Sequence, residues 1–149
     1  MIGRLTIEEI EEVLSRNTLG HIGCNDGYNT YVIPVNYAYD GKFILAHSQP
    51  GMKIQIMRKN PRVCFEVEEI INFNTWKSVI AFGEYQELIS ERDRYDAMQF
   101  FIDKMLHIKV SKTAGHYKTN VEHSDRPIMY RICIDEKSGR FETESPEAS

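Results

Sequence analysis

Hydrophobic and polar residues alternate in six stretches of the chain, and this spacing predicts six β-strands. The stretches are LGHIGC (19–24), TYVIPVNYAY (30–39), KFILAH (42–47), RVCFEVEEI (62–70), WKSVIAFGEYQELI (76–89) and IMYRICI (128–134). Asp26-Gly27 and Asp40-Gly41 separate the first three stretches and are typical of hairpin turns. Because strands joined by hairpins pair antiparallel, the pattern predicts a mostly β protein, a small six-stranded antiparallel barrel with flanking helices.

Helical spacing occurs in three other segments. Thr6 and Glu9 form a capping-box pattern ahead of an apolar stripe, which predicts an N-terminal helix within residues 1–18. A short helix is predicted from Met52 to Lys59. The longest helix opens at Ser90, and six of its apolar residues are expected to face the core: Tyr95, Met98, Phe101, Ile102, Met105 and Leu106.

The remaining segments have no regular period. Residues 109–124 are expected to be mobile, and residues 141–149 are expected to form a disordered tail. No repeat and no Pro-, Gly- or Ser-rich linker divides the chain, so its 149 residues are expected to form one domain, 1–149.

Composition narrows the possible functions. The net charge of −4 argues against a nucleic-acid partner, because phosphate backbones require an excess of Lys and Arg. No apolar run is long enough to span a bilayer, so no membrane partner is expected. Cys24, Cys64 and Cys133 lie in strand-like stretches without metal-ligand spacing, so no metal is expected. Three buried, reduced thiols indicate a cytoplasmic protein.

The segment AHSQPGMKIQIMRKNP (46–61) has the residues that an anion site needs. Ser48 offers a hydroxyl after a strand, and Pro50-Gly51 lets a helix begin with unpaired N–H groups. Lys53 lies in the first helical turn, where a cation opposes the helix dipole unless an anion binds between them. The segment therefore predicts a phosphate site, although positively charged first turns also occur without a ligand.

Four motifs in one order carry a family resemblance: P-V-N-Y, H-S-x-x-x-x-K, N-P-R-V-C-F-E-V and S-V-x-x-x-G. From about Leu19 to Leu88 the chain resembles the pyridoxamine 5′-phosphate oxidase-like FMN-binding split barrels, most of all the flavin-nucleotide-binding branch with the nitroimidazole-resistance (Nim-type) proteins. The resemblance implies a six-stranded split β-barrel that works as a homodimer with FMN at the subunit interface.

The same resemblance implies which residues bind the cofactor. Ser48 and Lys53 match phosphate-binding positions. Trp76 and Ser78 match positions that reach toward the flavin, often that of the neighbouring subunit, although a half-buried Trp76 could equally be a packing anchor. The strand that lies along the flavin ring corresponds to Pro34, Val35, Asn36 and Tyr37.

His47 precedes the phosphate-binding serine and is the candidate for both cofactor contact and catalysis, since a neutral imidazole can donate a hydrogen bond or relay a proton. A structural role for His47 remains an alternative. His21 is expected to be structural, and His116 to line a substrate entrance. Glu66 and Glu68 share one strand face, which is most simply a solvated surface.

Two classes of function follow from the resemblance. The first is an FMN-dependent oxidoreductase that reduces a small organic substrate, such as a nitroaromatic compound. The second is a flavin-binding module without turnover, acting as a store or redox sensor. Haem or F420 binding is disfavoured, because Ser48 and Lys53 are retained and no basic groove is evident. The chain also lacks the C-terminal arginine and tryptophan segment of true pyridoxamine phosphate oxidases, so vitamin B6 oxidation is not expected.

Overall fold

A computed structural model of the chain describes residues 1–109 and 126–144. In chain order the elements are β1 (Ile2–Arg4), α1 (Ile7–Arg16), β2 (Leu19–Asn25), β3 (Thr30–Asn36), β4 (Ala38–Tyr39), β5 (Phe43–Ser48), α2 (Met52–Lys59), β6 (Arg62–Asn72), β7 (Thr75–Glu87), α3 (Glu91–Lys109) and β8 (Ile128–Glu142). The predictions for segment 109–124, including the role of His116, lie outside the described residues apart from the end of α3.

The strands form one antiparallel sheet in the order β3-β2-β6-β7-β8-β5-β4, with β1 beside β8. The two ends of this path, β3 and β4, follow each other in the chain with only Tyr37 between them. The sheet therefore curls until its first and last strands meet, as a barrel requires. Tyr37 fixes this corner, because its backbone N–H donates to Thr18 O at 2.8 Å and its hydroxyl donates to Leu14 O at 2.8 Å.

The predicted architecture, a mostly antiparallel sheet with flanking helices, is confirmed. The described residues hold eight strands where the alternating pattern predicts six. The two additional strands, β1 and β4, have three and two residues, which is too short to show a period. The stretch 30–39, predicted as one strand, is divided at Tyr37 into β3 and β4.

The first and the last elements of the described residues extend beyond their predicted bounds. The Thr6–Glu9 capping box is confirmed at the start of α1, but β1 precedes that helix. The last strand continues to Glu142, and Phe141 and Glu142 pair with Lys77 and Trp76. The strand therefore includes Phe141 and Glu142, the first two residues of the expected disordered tail 141–149, and residues 145–149 of that tail lie outside the described residues.

Inward-facing side chains fill the barrel, and α1 and α2 close it. Val13 and Leu14 of α1 and Ile54 and Met57 of α2 are almost fully buried. On α3 the predicted core stripe is only partly right: Phe101 and Met105 are buried, whereas Tyr95 and Leu106 are exposed and Ala97 takes a core position. The three cysteines are free thiols; Cys24 is buried, and Cys64 and Cys133 are half-buried.

Candidate functional site

The corner between β5 and α2 has an uncapped, positively polarised helix end. Ser48 is the last residue of β5, and α2 begins four residues later at Met52. Gly51 is the N-cap and provides no side-chain cap, and the first turn holds no acidic residue. The amide groups of this turn are therefore available to an anion. We call this region, Ser48 to Lys53 together with His47, the α2 corner.

Lys53 is half-buried in the first turn of α2. Burial lowers the pKa of its ammonium group, and only the nearby Cys24 thiol acts against that shift. No salt bridge to Lys53 forms among the described residues. A partly desolvated cation without a carboxylate partner is unfavourable alone and favourable beside a bound anion.

His47 lies on the outer face of β5, where α3 covers part of it. Its ring packs edge-on against Phe101, with 4.9 Å between ring centroids. Burial lowers the pKa of His47, and the positive charge of Lys53 lowers it further. The imidazole is therefore neutral near pH 7 and can act as a hydrogen-bond donor or acceptor at the α2 corner.

The other residues predicted near this corner differ in what they can offer. Ser48 Oγ donates to its own neighbour, Gln49 O, at 2.8 Å, so it would have to turn to reach a ligand. Pro34 and Asn36 are exposed on the outer face of β3, whereas the Val35 and Tyr37 side chains are buried in the barrel. Only the backbone of the latter two could meet a ligand.

Strand pairing relates the position of the exposed end of β3 to that of the α2 corner. Ala38 of β4 pairs with Leu45 of β5. Asn36, two residues before Ala38, and His47, two residues after Leu45, therefore extend beyond the same end of this antiparallel pair. The structure thus brings the exposed end of β3 toward the α2 corner.

Trp76 and Ser78 lie far from the α2 corner of their own chain. Trp76 pairs with Glu142 of β8, whereas His47 pairs with Met129 of the same strand. Thirteen residues of β8 separate these two partners, which is about 40 Å of strand. The half-buried Trp76 donates its Nε1–H to Glu142 Oε2 at 2.9 Å, and Ser78 Oγ donates to Glu66 Oε1 at 3.2 Å.

A polar cluster that the sequence did not predict occupies the outer face of β2, β6 and β7. His21 Nδ1 lies 3.5 Å from Glu66 Oε2, and Ser78 binds the other carboxylate oxygen. Burial raises the pKa of Glu66, and the charge of Glu68 raises it further. His21, Glu66 and Glu68 line a cleft of about 300 Å³ together with Gly23, Val32 and Cys64. The solvated face predicted for Glu66 is therefore half-buried.

This outer face also exposes large apolar side chains. Leu19, Val32, Ile80 and Phe82 all lie on it and are accessible in the single chain. Their shared orientation follows from the strand register, with Gly23 opposite both Val32 and Cys64, and Cys64 opposite Phe82. The four apolar residues come from three strands, β2, β3 and β7. Alternation along one strand predicts which of its residues face outward, but it does not predict which strands lie side by side.

Among the described residues, no group of three or more His, Cys, Asp or Glu side chains is placed to hold a metal ion. No described helix combines the length and the apolar character needed to cross a membrane. Three further clefts, of about 290, 310 and 170 Å³, lie on the described surface, and none of them is lined by His47, Ser48 or Lys53.

Residues 6–141 match the family described as pyridoxamine 5′-phosphate oxidase. The fold is similar to that of a crystallised FAD-binding protein of Mesorhizobium loti, which is 30% identical, with a TM-score of 0.78 over 97% of this chain and 98% of that one. It is also similar to a candidate 5-nitroimidazole antibiotic resistance protein of Bacteroides thetaiotaomicron, 17% identical, with a TM-score of 0.72 over 95% and 87% of the two chains. At that identity the likeness concerns the fold alone.

A curated relative from Rhizobium meliloti, an uncharacterized protein, is 37% identical over 81 residues. That alignment spans about half of each chain, 54% in both cases.

Proposed function

Because the chain belongs to the pyridoxamine 5′-phosphate oxidase family, we propose that it binds a flavin nucleotide at the α2 corner. The observation that carries the proposal is Lys53, a half-buried ammonium group without an ion partner among the described residues, beside an uncapped helix end. This combination fits a phosphate group, which brings negative charge and acceptor oxygens to both. The FAD-binding relative from M. loti supports a flavin as the ligand.

Different residues of the chain would bind the phosphate and the ring of the flavin nucleotide. Lys53 and the first amides of α2 would hold the phosphate, and Ser48 would join them after leaving Gln49 O. The exposed end of β3, with Asn36, would lie along the ring and offer an amide that can donate and accept. A bound flavin supplies the electron-transfer chemistry, while the protein binds, orients and shields it.

We also propose that the protein forms a homodimer. The outer face of β2, β3, β6 and β7 exposes Leu19, Val32, Ile80 and Phe82, an apolar surface that a second copy would cover. Trp76 and Ser78 lie too far along the sheet to reach the α2 corner of their own chain. If they contact a flavin, as the family resemblance implies, that flavin belongs to the second copy.

For the reaction we propose reduction of a small organic acceptor, with a nitroaromatic compound as the first substrate to test. Neutral His47 would donate a hydrogen bond at the edge of the site, or relay a proton by accepting one at one ring nitrogen and releasing one from the other. The alternative, a flavin store or redox sensor, uses the same binding site. It predicts that no organic acceptor reoxidises the reduced protein faster than oxygen does.

The binding proposal is tested by the purified protein itself. We expect a yellow protein with a flavin absorption spectrum and about one flavin per chain. The mass of the extracted chromophore distinguishes FMN, FAD, F420 and haem. FMN is the ligand that the sequence predicts, whereas the M. loti relative favours FAD. A colourless protein that binds neither FMN nor FAD in a titration would refute the proposal.

Flavin affinity should increase as the pH falls from about 8 to about 6, because an anion beside His47 would raise its lowered pKa. The complex then holds more protons than the free protein, so a lower pH favours binding, by at most about tenfold per pH unit for one proton. The measurement is the dissociation constant of FMN or FAD across this range.

The phosphate of FMN also titrates near pH 6 and needs a control. In His47→Gln the phosphate contribution remains and only the imidazole is removed. Riboflavin, which lacks the phosphate, should bind with little pH dependence. Equal pH profiles for the wild type and His47→Gln would show that His47 does not face the anion.

A further inference from the structure

One cleft of the described surface, with a volume of about 310 Å³, begins at Met52, within the α2 corner. It lies between α2 and the turn that joins β2 to β3, and we call it the α2 cleft. The other three clefts of the described residues are not lined by any residue of α2. Its volume is at the lower end of the ~300–1,000 Å³ that small-molecule sites occupy, so it suits one part of a larger ligand.

The α2 cleft extends away from the proposed position of the flavin ring. Its far end lies at the β2–β3 turn, because Asn60, the C-cap of α2, donates its Nδ2–H to Asn25 O at 3.0 Å. Asn36 lies at the opposite end of the same hairpin, where it pairs with Leu19. A ligand with its phosphate at the α2 corner can therefore direct its ring toward Asn36 and a second group into the cleft.

The walls of the α2 cleft combine apolar surface with a free amide. Met52 is 58% exposed, and Ile56, which is only 7% exposed, forms the base of the cleft. Gln55 is exposed between them, and its side-chain amide makes no hydrogen bond to another described residue. A thioether packs favourably on an aromatic ring, and a glutamine amide can donate and accept on one edge of adenine. These walls fit a purine.

The charges around the α2 cleft favour an uncharged group within it. Asp26 borders the cleft, and the backbone N–H groups of Asn29 and Tyr28 donate to its carboxylate and lower its pKa. Lys59 borders the same cleft and offsets this negative charge. A further anionic group would be repelled by Asp26, whereas a neutral heterocycle that carries an amino group would not.

We propose that the α2 cleft binds the adenosine part of FAD while the α2 corner binds its diphosphate. Met52 would pack on the face of the adenine, and Gln55 would donate to and accept from its edge. This inference rests on the proposed function and extends it, because it assigns a site to the part of the ligand that FMN lacks. FAD is then preferred over FMN, since the adenosine adds contacts that FMN cannot make.

The first test compares the two flavins on the same protein by titration. We expect the dissociation constant of FAD to be about tenfold or more below that of FMN, because the adenosine adds amide hydrogen bonds and apolar contact. Binding of FMN with no tighter binding of FAD would overturn the inference and leave the flavin proposal intact. If neither flavin bound, the proposed function itself would fail. FMN does not extend into the cleft, so substitution of Lys59 should not change its affinity.

The second test separates the cleft from the corner. Gln55→Leu keeps the size of the side chain without its amide, and Met52→Ala removes the apolar wall. Each should weaken FAD binding about threefold or more and leave FMN affinity unchanged. The matched control is Gln99→Leu, the same exchange at an exposed position of α3, which should alter neither affinity. Equal losses for FMN and FAD, or no loss for FAD, in the cleft variants would overturn the inference.

A photolabel locates the adenine directly. The protein is saturated with an FAD analogue that carries a photoreactive azide on its adenine ring, irradiated and digested, and the labelled peptide is identified by mass spectrometry. A label within residues 52–60 or 25–29, the two segments that border the α2 cleft, supports the inference. A label confined to any other segment overturns it.

Discussion

Lys53→Ala is expected to weaken flavin binding by about 1.5–3 kcal/mol, roughly 10- to 100-fold in the dissociation constant. The loss is large because the substitution removes a charge-assisted hydrogen bond from a half-buried position at the α2 corner. Titration by flavin fluorescence or calorimetry measures it directly.

Lys59→Ala provides the matched control. Lys59 belongs to the same helix but lies exposed in its last turn, away from the uncapped end. If both substitutions weakened flavin binding equally, the effect would come from the total positive charge of α2 and not from a local contact of Lys53. If Lys53→Ala bound flavin with the affinity of the wild type, Lys53 would not be part of the binding site.

The same substitution should not destabilise the flavin-free protein. Burial lowers the pKa of Lys53, so the folded state disfavours its charged form. Removing that charge should therefore leave the free energy of unfolding unchanged or increase it near pH 7. Any such increase should vanish at a pH high enough to deprotonate the amine of Lys53 in the wild type. A variant that binds less flavin while melting no earlier would show that Lys53 serves the ligand at a cost in stability.

The α2 corner could be predicted from sequence because its parts are neighbours in the chain. Ser48, Pro50-Gly51 and Lys53 lie within six residues, so strand end, helix start and charge can be recognised together. What the sequence could not predict is burial. The pKa values of Lys53 and His47 are lowered by burial, and the residues that bury them, such as Phe101 of α3 against His47, are distant in the chain.

The cluster of His21, Glu66 and Ser78 shows the opposite case. Each residue belongs to a different strand, and only the pairing of β2 with β6 and of β6 with β7 brings them together. Taken along one strand, Glu66 and Glu68 look like a solvated face. The register of the barrel places them beside exposed apolar residues, a surface that we assign to the dimer.

The end of the last strand was missed for a definable reason. Tyr130 and Ile132 point into the barrel, and so do Gly139 and Phe141 farther along β8. The residues that face inward have even numbers in the first half of the strand and odd numbers in the second half. A β-bulge, where Phe82 and Gly83 pair with Glu136 and Ile134, inserts the extra residue that changes the face. Alternation therefore breaks near Ile134, where the predicted strand stops.

Gly83→Ala is expected to lower the free energy of unfolding by about 3 kcal/mol or more. A Cβ at Gly83 would lie 2.2 Å from Cys133 O and 2.8 Å from Cys133 C. Both are backbone atoms of the paired strand and cannot move aside as a flexible side chain could. The measurement is urea unfolding of the flavin-free protein, since bound ligand would stabilise both forms.

Gly23→Ala is the matched control for this prediction. Gly23 also lies within a strand of the barrel, but a Cβ there meets nothing closer than Cys64 Cβ at 3.6 Å, an ordinary contact. We expect its stability to change by less than about 1 kcal/mol. A similar loss in both variants would assign the effect to glycine in strands generally. A specific loss at Gly83 would show that the close approach of β7 and β8 at the bulge contributes to the stability of the fold.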